Sequence, residues 1–274
     1  MWSCCSNYGT PCLKKRADIL LVEKGLCESR VQARNLILAG EIRVGADHVV
    51  RKASELYPEE TRFTAAVTCP FVSRGAYKLL AALEAFPPSL AGTTALDIGA
   101  STGGFTDLLL QRGVRKVYAV DVGHGQLHQR LRQDPRVVSL EGVNARYLAS
   151  SLIPESVDVL VADVSFISLR KVLPACASLL KPGGWAFLLV KPQFEATRAE
   201  VGKGGVVRDP AVQQRCVDEV SAFAGRELGW RPLGVVPSPI LGPAGNQEFV
   251  AVFQAAAEDS PSTGLGTLSL SKGC

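Results

Sequence analysis

From Leu90 onward, short apolar runs recur along the chain with amphipathic stretches between them. Thr94–Ile98, Lys116–Val120, Val137–Leu140, Val157–Ala162, Trp185–Val190 and Phe249–Phe253 read as strands. Gly104–Gln111, Gly125–Gln133, Leu169–Leu180 and Asp209–Leu228 read as helices and fall between most of them. Strand and helix in alternation predict an α/β domain built on a doubly wound, mostly parallel sheet of Rossmann-like type.

The front of the chain has another texture. Lys14-Lys15-Arg16 opens a segment in which Ile19, Leu20 and Val22 share one helical face, ending at Gly25. Ser29 suits the start of a second helix, with Val31, Ala33, Leu36 and Ile37 turned inward, Arg30 and Arg34 outward, and a stop at Gly40. Ile42, Val44, Val49 and Val50 flank Gly45-Ala46-Asp47 as two strands around a tight turn, with Arg43, His48, Arg51 and Lys52 interleaved. A small α+β unit of two helices and a hairpin is therefore expected over residues 14–68. Residues 1–13 are expected to be flexible, 69–89 to hold a linker and the first helix of the larger domain, and 90–254 to form that domain. The Ser-, Gly-, Thr- and Ala-rich stretch 255–274 lacks core-forming residues and is expected to be disordered.

Composition and charge narrow the classes. No apolar run approaches the ~18 residues a membrane helix needs, and Met1–Cys12 has no apolar core of a secretory leader, so a cytoplasmic location away from membranes is expected. The eight cysteines are scattered without a C-x-x-C pair, which argues against a disulfide framework or a metal site. Of the net charge of +4, most sits in front: residues 1–74 carry 11 Lys and Arg against 8 Asp and Glu, and residues 75–274 carry 19 against 18. Such an excess fits a polyanionic partner, although surface solubility explains it equally well.

Ala95-Leu96-Asp97-Ile98-Gly99-Ala100-Ser101-Thr102-Gly103-Gly104-Phe105 runs from a strand through a glycine-rich turn into a helix, the place where an open α/β sheet binds its ligand. Gly99, Ser101, Gly103, Gly104 and Phe105 are the candidate cradle, because glycines let the backbone approach a ligand closely. Asp121, at the end of the next strand and followed by Val122, suits the hydroxyls of a ribose. The G-x-x-x-G-G spacing lacks the G-x-G-x-x-G pattern of dinucleotide sites. S-adenosylmethionine (SAM) has no phosphate but has an amino-acid end, whose ammonium gives Asp97 a use. SAM is thus favoured over NAD, with a purely structural turn as the remaining alternative. Asn144 is placed to read an adenine edge or simply to make a turn.

Asp163, Lys191 and Glu248 stand at strand ends expected to converge on one rim. Pro192 turns the chain away after Lys191, leaving that lysine at the mouth of the site, where a partly desolvated amine can take or share the proton of a weakly acidic hydroxyl. Lys203 and Arg208, among glycines, form a basic loop suited to RNA phosphates or to closing over a substrate.

Residues 14–64 resemble the S4 RNA-binding domain. Ser73-Arg74-Gly75-Ala76-Tyr77-Lys78-Leu79, the glycine turn from Asp97 to Thr106, Asp163-Val164-Ser165-Phe166-Ile167-Ser168, Val190-Lys191-Pro192-Gln193-Phe194-Glu195 and Gly202–Asp209 together resemble the hemolysin A (TlyA) family, in which an S4 domain precedes an FtsJ-like methyltransferase. The resemblance spans residues 14–254. It implies SAM-dependent 2′-O-methylation of cytidine in ribosomal RNA, with a Lys-Asp-Lys-Glu tetrad on Lys78, Asp163, Lys191 and Glu248. Asp163 also joins the cofactor-binding set with Asp97 and Asp121. In this reading Lys191 is the base or polarising group, Asp163 and Glu248 orient it, and Lys78 steadies developing charge. The RNA-binding candidates are Lys14, Lys15, Arg16, Arg30, Arg34, Arg43, Arg74, Lys203 and Arg208, with ribosomal RNA or ribosomal subunits as partner. The rivals are an RNA-binding protein with an inactive methyltransferase domain, a base-methylating enzyme, and a membrane-lytic protein, for which no amphipathic helix is evident.

Overall fold

The computed structural model describes residues 14–27, 29–38, 40–45, 48–65 and 69–257. The expectations for residues 1–13 and for most of 255–274 lie outside the described residues. The chain divides into two compact units, residues 1–70 and 71–274.

In the first unit the elements are β1 (Lys14–Arg16), α1 (Ala17–Glu23), α2 (Arg30–Leu38), β2 (Ile42–Val44), β3 (His48–Val49), β4 (Leu56–Pro58) and β5 (Phe63–Ala65). β1 pairs antiparallel with β4, and β2 lies between β3 and β5. Ala17, Leu20, Leu21, Ala33, Ile37, Ile42, Tyr57 and Phe63 make the core. Two expectations change. Lys14–Arg16 is a strand rather than the entry to a helix, since the chain stays extended through Arg16 before α1 begins. Val31, expected inside, is 66% exposed, because the ~100° step per residue sets it opposite Ala33. Ser29 does cap α2, its Oγ accepting from Gln32 N at 3.2 Å.

The second unit runs α3 (Ala76–Ala85), β6 (Thr94–Ile98), α4 (Gly104–Gln111), β7 (Lys116–Asp121), α5 (Gln129–Arg132), β8 (Val137–Glu141), β9 (Val157–Ala162), α6 (Leu169–Ala177), β10 (Leu180–Val190), α7 (Pro192–Glu195), α8 (Pro210–Leu228), β11 (Arg231–Pro237) and β12 (Phe249–Gln254). Its seven strands lie in the order β11-β12-β10-β9-β6-β7-β8, with β12 antiparallel to both neighbours and the pairs from β10 to β8 parallel. Apolar side chains alternate to the two faces. Leu96, Ile98, Leu160 and Ala162 pack with α6 and α8, whereas Ala95, Val159 and Val161 pack with α3 and α4. Burying a Leu or Val this completely stabilises by ~1.5–3 kcal/mol.

β11 has no counterpart among the six expected strands. Pro232 and Pro237 hide it in the sequence, and it is tolerated because the strand lies at the edge of the sheet. The expected helix Leu169–Leu180 stops at Ala177, and Leu180 instead opens β10, whose register shifts between Leu180 and Trp185. From β6 the chain builds outward through β7 to β8, then returns to place β9 on the other side of β6. That reversal opens a crevice at the carboxyl ends of β6 and β9. Among the described residues no helix is long and apolar enough to cross a membrane, and Cys27, Cys69, Cys176 and Cys216 are unpaired.

Candidate active site

At the crevice, the ends of β6 and β9 are stitched by Asp163 N donating to Ile98 O at 2.8 Å. Gly99, at φ +81°, lies so close to this join that a Cβ there would collide with the carbonyl oxygen of Asp163. A Cβ at Gly103 would strike Leu131 and Leu127, and Gly104 packs on Ser73 and the backbone of Ala76. Gly99 is thus required by the protein's own packing and Gly103 by its φ of +94°, whereas Gly104 is only tightly packed. The Phe105 side chain, a cofactor candidate from the sequence, belongs to the core and leaves only its main chain to serve a ligand.

Asp97 is fully buried, one oxygen accepting from Thr106 Oγ1 at 2.6 Å and the other without a partner. Burial pushes its pKa up to about 7. An orphaned buried carboxylate oxygen beside a glycine turn has a use for a cation, and the ammonium of an amino-acid ligand fits it. Asp121 accepts from Ser101 N at 2.8 Å and from Gly123 N at 2.7 Å, so it also ties together the loops after β6 and β7. Val122 is exposed beside it. Asn144 accepts from Arg146 N at 3.0 Å and caps a short 3₁₀ turn over Ala145–Tyr147, the plainer of its two readings.

Along the same rim, Val190 pairs with Phe249, which sets Lys191 and Glu248 on adjoining strand ends, with Asp163 one strand further. Lys78, on α3, donates to Glu248 at 2.6 Å, and both side chains are less than a tenth exposed. The Lys191 ammonium stands 2.5 Å from Asp163 Oδ1 as a charge contact, and its directed hydrogen bond goes to Ser165 Oγ at 2.9 Å. The four charges therefore form two ion pairs. Glu248, expected to orient Lys191, is paired with Lys78 instead, because α3 packs against β10, β11 and β12 and delivers that lysine first.

Beyond the rim, Phe166 is 91% exposed at φ +64°, a conformation that costs ~1–3 kcal/mol in a non-glycine residue. Its ring lies 5.2 Å from that of Phe194, which itself sits 5.9 Å from Lys191 Nζ. The two rings, Gln193, Arg146 and Lys171 help line a cavity of about 470 Å³. Glu195 accepts from Ser168 Oγ at 2.6 Å and Leu169 N at 2.7 Å, fixing the loop that carries Ser165 and Phe166.

Lys203 and Arg208 are exposed on their loop. That loop is held by Asn246, buried two residues before Glu248, which accepts from Val207 N at 2.9 Å and donates to Gly205 O at 2.8 Å. Arg74 is half-buried just ahead of α3. In the first unit Lys14 is exposed, Arg43 is half-buried, and Lys15 pairs with Glu23 and Glu59. Arg16, Arg30 and Arg34 all turn to one carboxylate, Asp18. Sequence reasoning missed Asp18, Ser165, Phe166, Phe194 and Asn246. A polar or aromatic residue within Asp163–Ser168 or Val190–Glu195 was the available signal for Ser165, Phe166 and Phe194, and an acid between basic residues for Asp18.

A doubly wound sheet closed by an antiparallel strand, with a glycine turn after its first strand and paired lysines and carboxylates on one rim, defines a methyltransferase domain. Residues 71–255 match the FtsJ-like methyltransferase family and residues 15–57 match the S4 domain. The chain is 48% identical over 238 residues to 16S/23S rRNA (cytidine-2′-O)-methyltransferase TlyA of Mycobacterium tuberculosis, covering 86% of this chain and 88% of the relative. It is 39% identical over 240 residues to Hemolysin A of Brachyspira hyodysenteriae, covering 87% and 99%. Among solved structures, a Streptococcus thermophilus protein described as a hemolysin superposes with a TM-score of 0.71 at 41% identity, covering 93% of this chain and 92% of that one. The chain belongs to the hemolysin A (TlyA) family of FtsJ-like methyltransferases with an S4 domain.

Proposed function

We propose that this protein transfers a methyl group from SAM to the 2′-hydroxyl of a cytidine in ribosomal RNA, the S4 unit holding the RNA. The observation that carries the chemistry is the pair of lysine–carboxylate contacts on the rim beside the glycine turn. The substrate is supported by the 48% identity to a relative named for that reaction.

SAM, when bound, supplies an electrophilic methyl group on a sulfonium. Asp97 would hold its ammonium and Asp121 its ribose, with the main chain of Gly99, Ser101 and Gly103 along its length. A ribose hydroxyl that takes the place of Ser165 Oγ on Lys191 Nζ would meet a polarising ammonium already fixed by Asp163. With SAM bound, the hydroxyl oxygen would take the methyl group and its proton would pass to the Asp163 carboxylate, directly or relayed through the Lys191 ammonium, so that Lys191 ends as it began and Asp163 ends protonated. Lys78, held by Glu248, steadies the negative charge that develops on the oxygen. Proton handling of this kind contributes on the order of 10²–10⁴ in rate. Phe166 and Phe194 offer ring faces against which the base of an extruded nucleotide can stack. Lys203 and Arg208, exposed on a loop that Asn246 fixes, suit the phosphates beside it. The partner is ribosomal RNA, free or within a ribosomal subunit, and the cytoplasm is where either would be met.

Mass spectrometry of ribosomal RNA nucleosides from cells with and without the gene tests this function. A 2′-O-methylcytidine present only with the gene is the expected result; unchanged ribose methylation, or a methylated base in its place, overturns it.

A further inference from the structure

Three arginines in the first unit converge on one acid. Asp18 is fully buried in the first turn of α1. Its Oδ1 accepts from Arg16 Nε at 2.9 Å, and its Oδ2 accepts from a terminal nitrogen of Arg16 at 3.2 Å, from one of Arg30 at 3.0 Å and from Arg34 Nε at 3.3 Å. The arginines come from different places: Arg16 from β1, Arg30 from the first position of α2, and Arg34 from one turn later.

We propose that Asp18 is a positioning residue that gathers Arg16, Arg30 and Arg34 into one pre-arranged site for the phosphates of folded RNA. A buried carboxylate that only needed neutralising would be served by one guanidinium; here three share it, and the cluster carries two positive charges in excess. Three guanidiniums brought this close repel one another, and the carboxylate between them makes the grouping tolerable. The hydrogen bonds from Arg16, and then those from Arg30 and Arg34, hold Asp18 well below the usual carboxylate range against the opposing effect of burial, so it stays ionised wherever the protein works. The contacts to Asp18 take only a minority of the donors on groups that carry five N–H each. The arginine side chains remain 39%, 51% and 50% exposed while the acid is hidden. A guanidinium already fixed in orientation loses less freedom when its fork meets a phosphate.

The proposal rests on the S4 unit binding RNA, and the two can be tested apart. The full-length protein is titrated, at several salt concentrations, with a fluorescein-labelled in vitro transcript of 23S ribosomal RNA and with single-stranded poly(U). Asp18→Asn raises the net charge by one, so a purely electrostatic role expects tighter binding. Positioning expects binding to the transcript to weaken on the order of tenfold, binding to poly(U) to change little, and Asp18→Glu to restore part of the loss. Arg16→Lys/Arg30→Lys/Arg34→Lys keeps both the charge and a partner for Asp18 but removes the forks, and is expected to weaken transcript binding similarly with SAM binding unchanged. Equal or tighter transcript binding by a folded Asp18→Asn protein overturns the proposal. If asparagine at 18 unfolds the unit, the lysine variant decides, and wild-type affinity there overturns it. If Arg16→Ala/Arg30→Ala/Arg34→Ala binds the transcript as wild type does, the RNA-binding reading of the unit itself falls.

Discussion

The two units use buried carboxylates in opposite ways. In the S4 unit one hidden aspartate is surrounded by three arginines whose side chains are about half exposed, leaving a net positive cluster of rigid forks. On the rim of the sheet, two lysines meet two carboxylates one to one, and the charges cancel in a mostly buried place. Excess charge on guanidiniums, which stay protonated, suits grip on a polyanion; balanced charge on amines, which can exchange protons, suits chemistry on a hydroxyl. The residue types alone, basic and acidic in both places, do not separate these roles; the ratio and the burial do.

The sharpest way to break this contrast is at Lys191. Lys191→Ala is expected to lower methyl transfer by on the order of 10²-fold or more while SAM binding by calorimetry stays near wild type. Wild-type transfer from that variant would remove the chemical half of the comparison. Lys78→Ala strands a buried Glu248 and is expected to cost about 3–5 kcal/mol of stability, seen as an earlier chemical denaturation midpoint, alongside loss of activity. An unshifted midpoint would mean that the Lys78–Glu248 pair is not structural. A third measurement concerns Asp97, pushed up to about 7 by burial. It is largely protonated below that pH and cannot then pair with an ammonium, so SAM should bind about tenfold more weakly near pH ~6 than near pH ~8. Asp97→Asn should remove the Asp97 part of that slope; an identical slope in the variant sinks the assignment. Smallest is the effect at the S4 unit: Arg34→Ala should lower the slope of log affinity against log salt by roughly one, without changing kcat on saturating RNA. An unchanged slope would take Arg34 out of the phosphate contacts.

Much of the architecture could be read from the chain because it is locally encoded. Val157–Ala162 is apolar apart from Asp158 near its entry, as a strand covered on both sides must nearly be, and the glycine turn announces the end of β6. β11 escaped notice because Pro232 and Pro237 mask an edge strand whose pairing with β12 is set by the fold, not by its own residues. The site divides in the same way. Lys78, Asp163 and Lys191 lie in motifs and Glu248 opens a strand, but which lysine faces which acid depends on how α3 packs over the sheet, and no spacing reports that. Arg30 and Arg34 were expected to point outward as a simple helix face. Their turn toward Asp18 involves a residue 12 and 16 positions away, a separation at which helical periodicity carries no information.

At Gly99 a hydrogen atom occupies the only room left between the first strand of the sheet and the carbonyl of Asp163. The chain leaving β6 therefore lies as close to the chain leaving β9 as two polypeptide backbones allow, and that spacing is set by a missing methyl group. Even alanine there would have to wedge the two strands apart, shifting the acid that steadies Lys191 together with the wall along which the cofactor would lie.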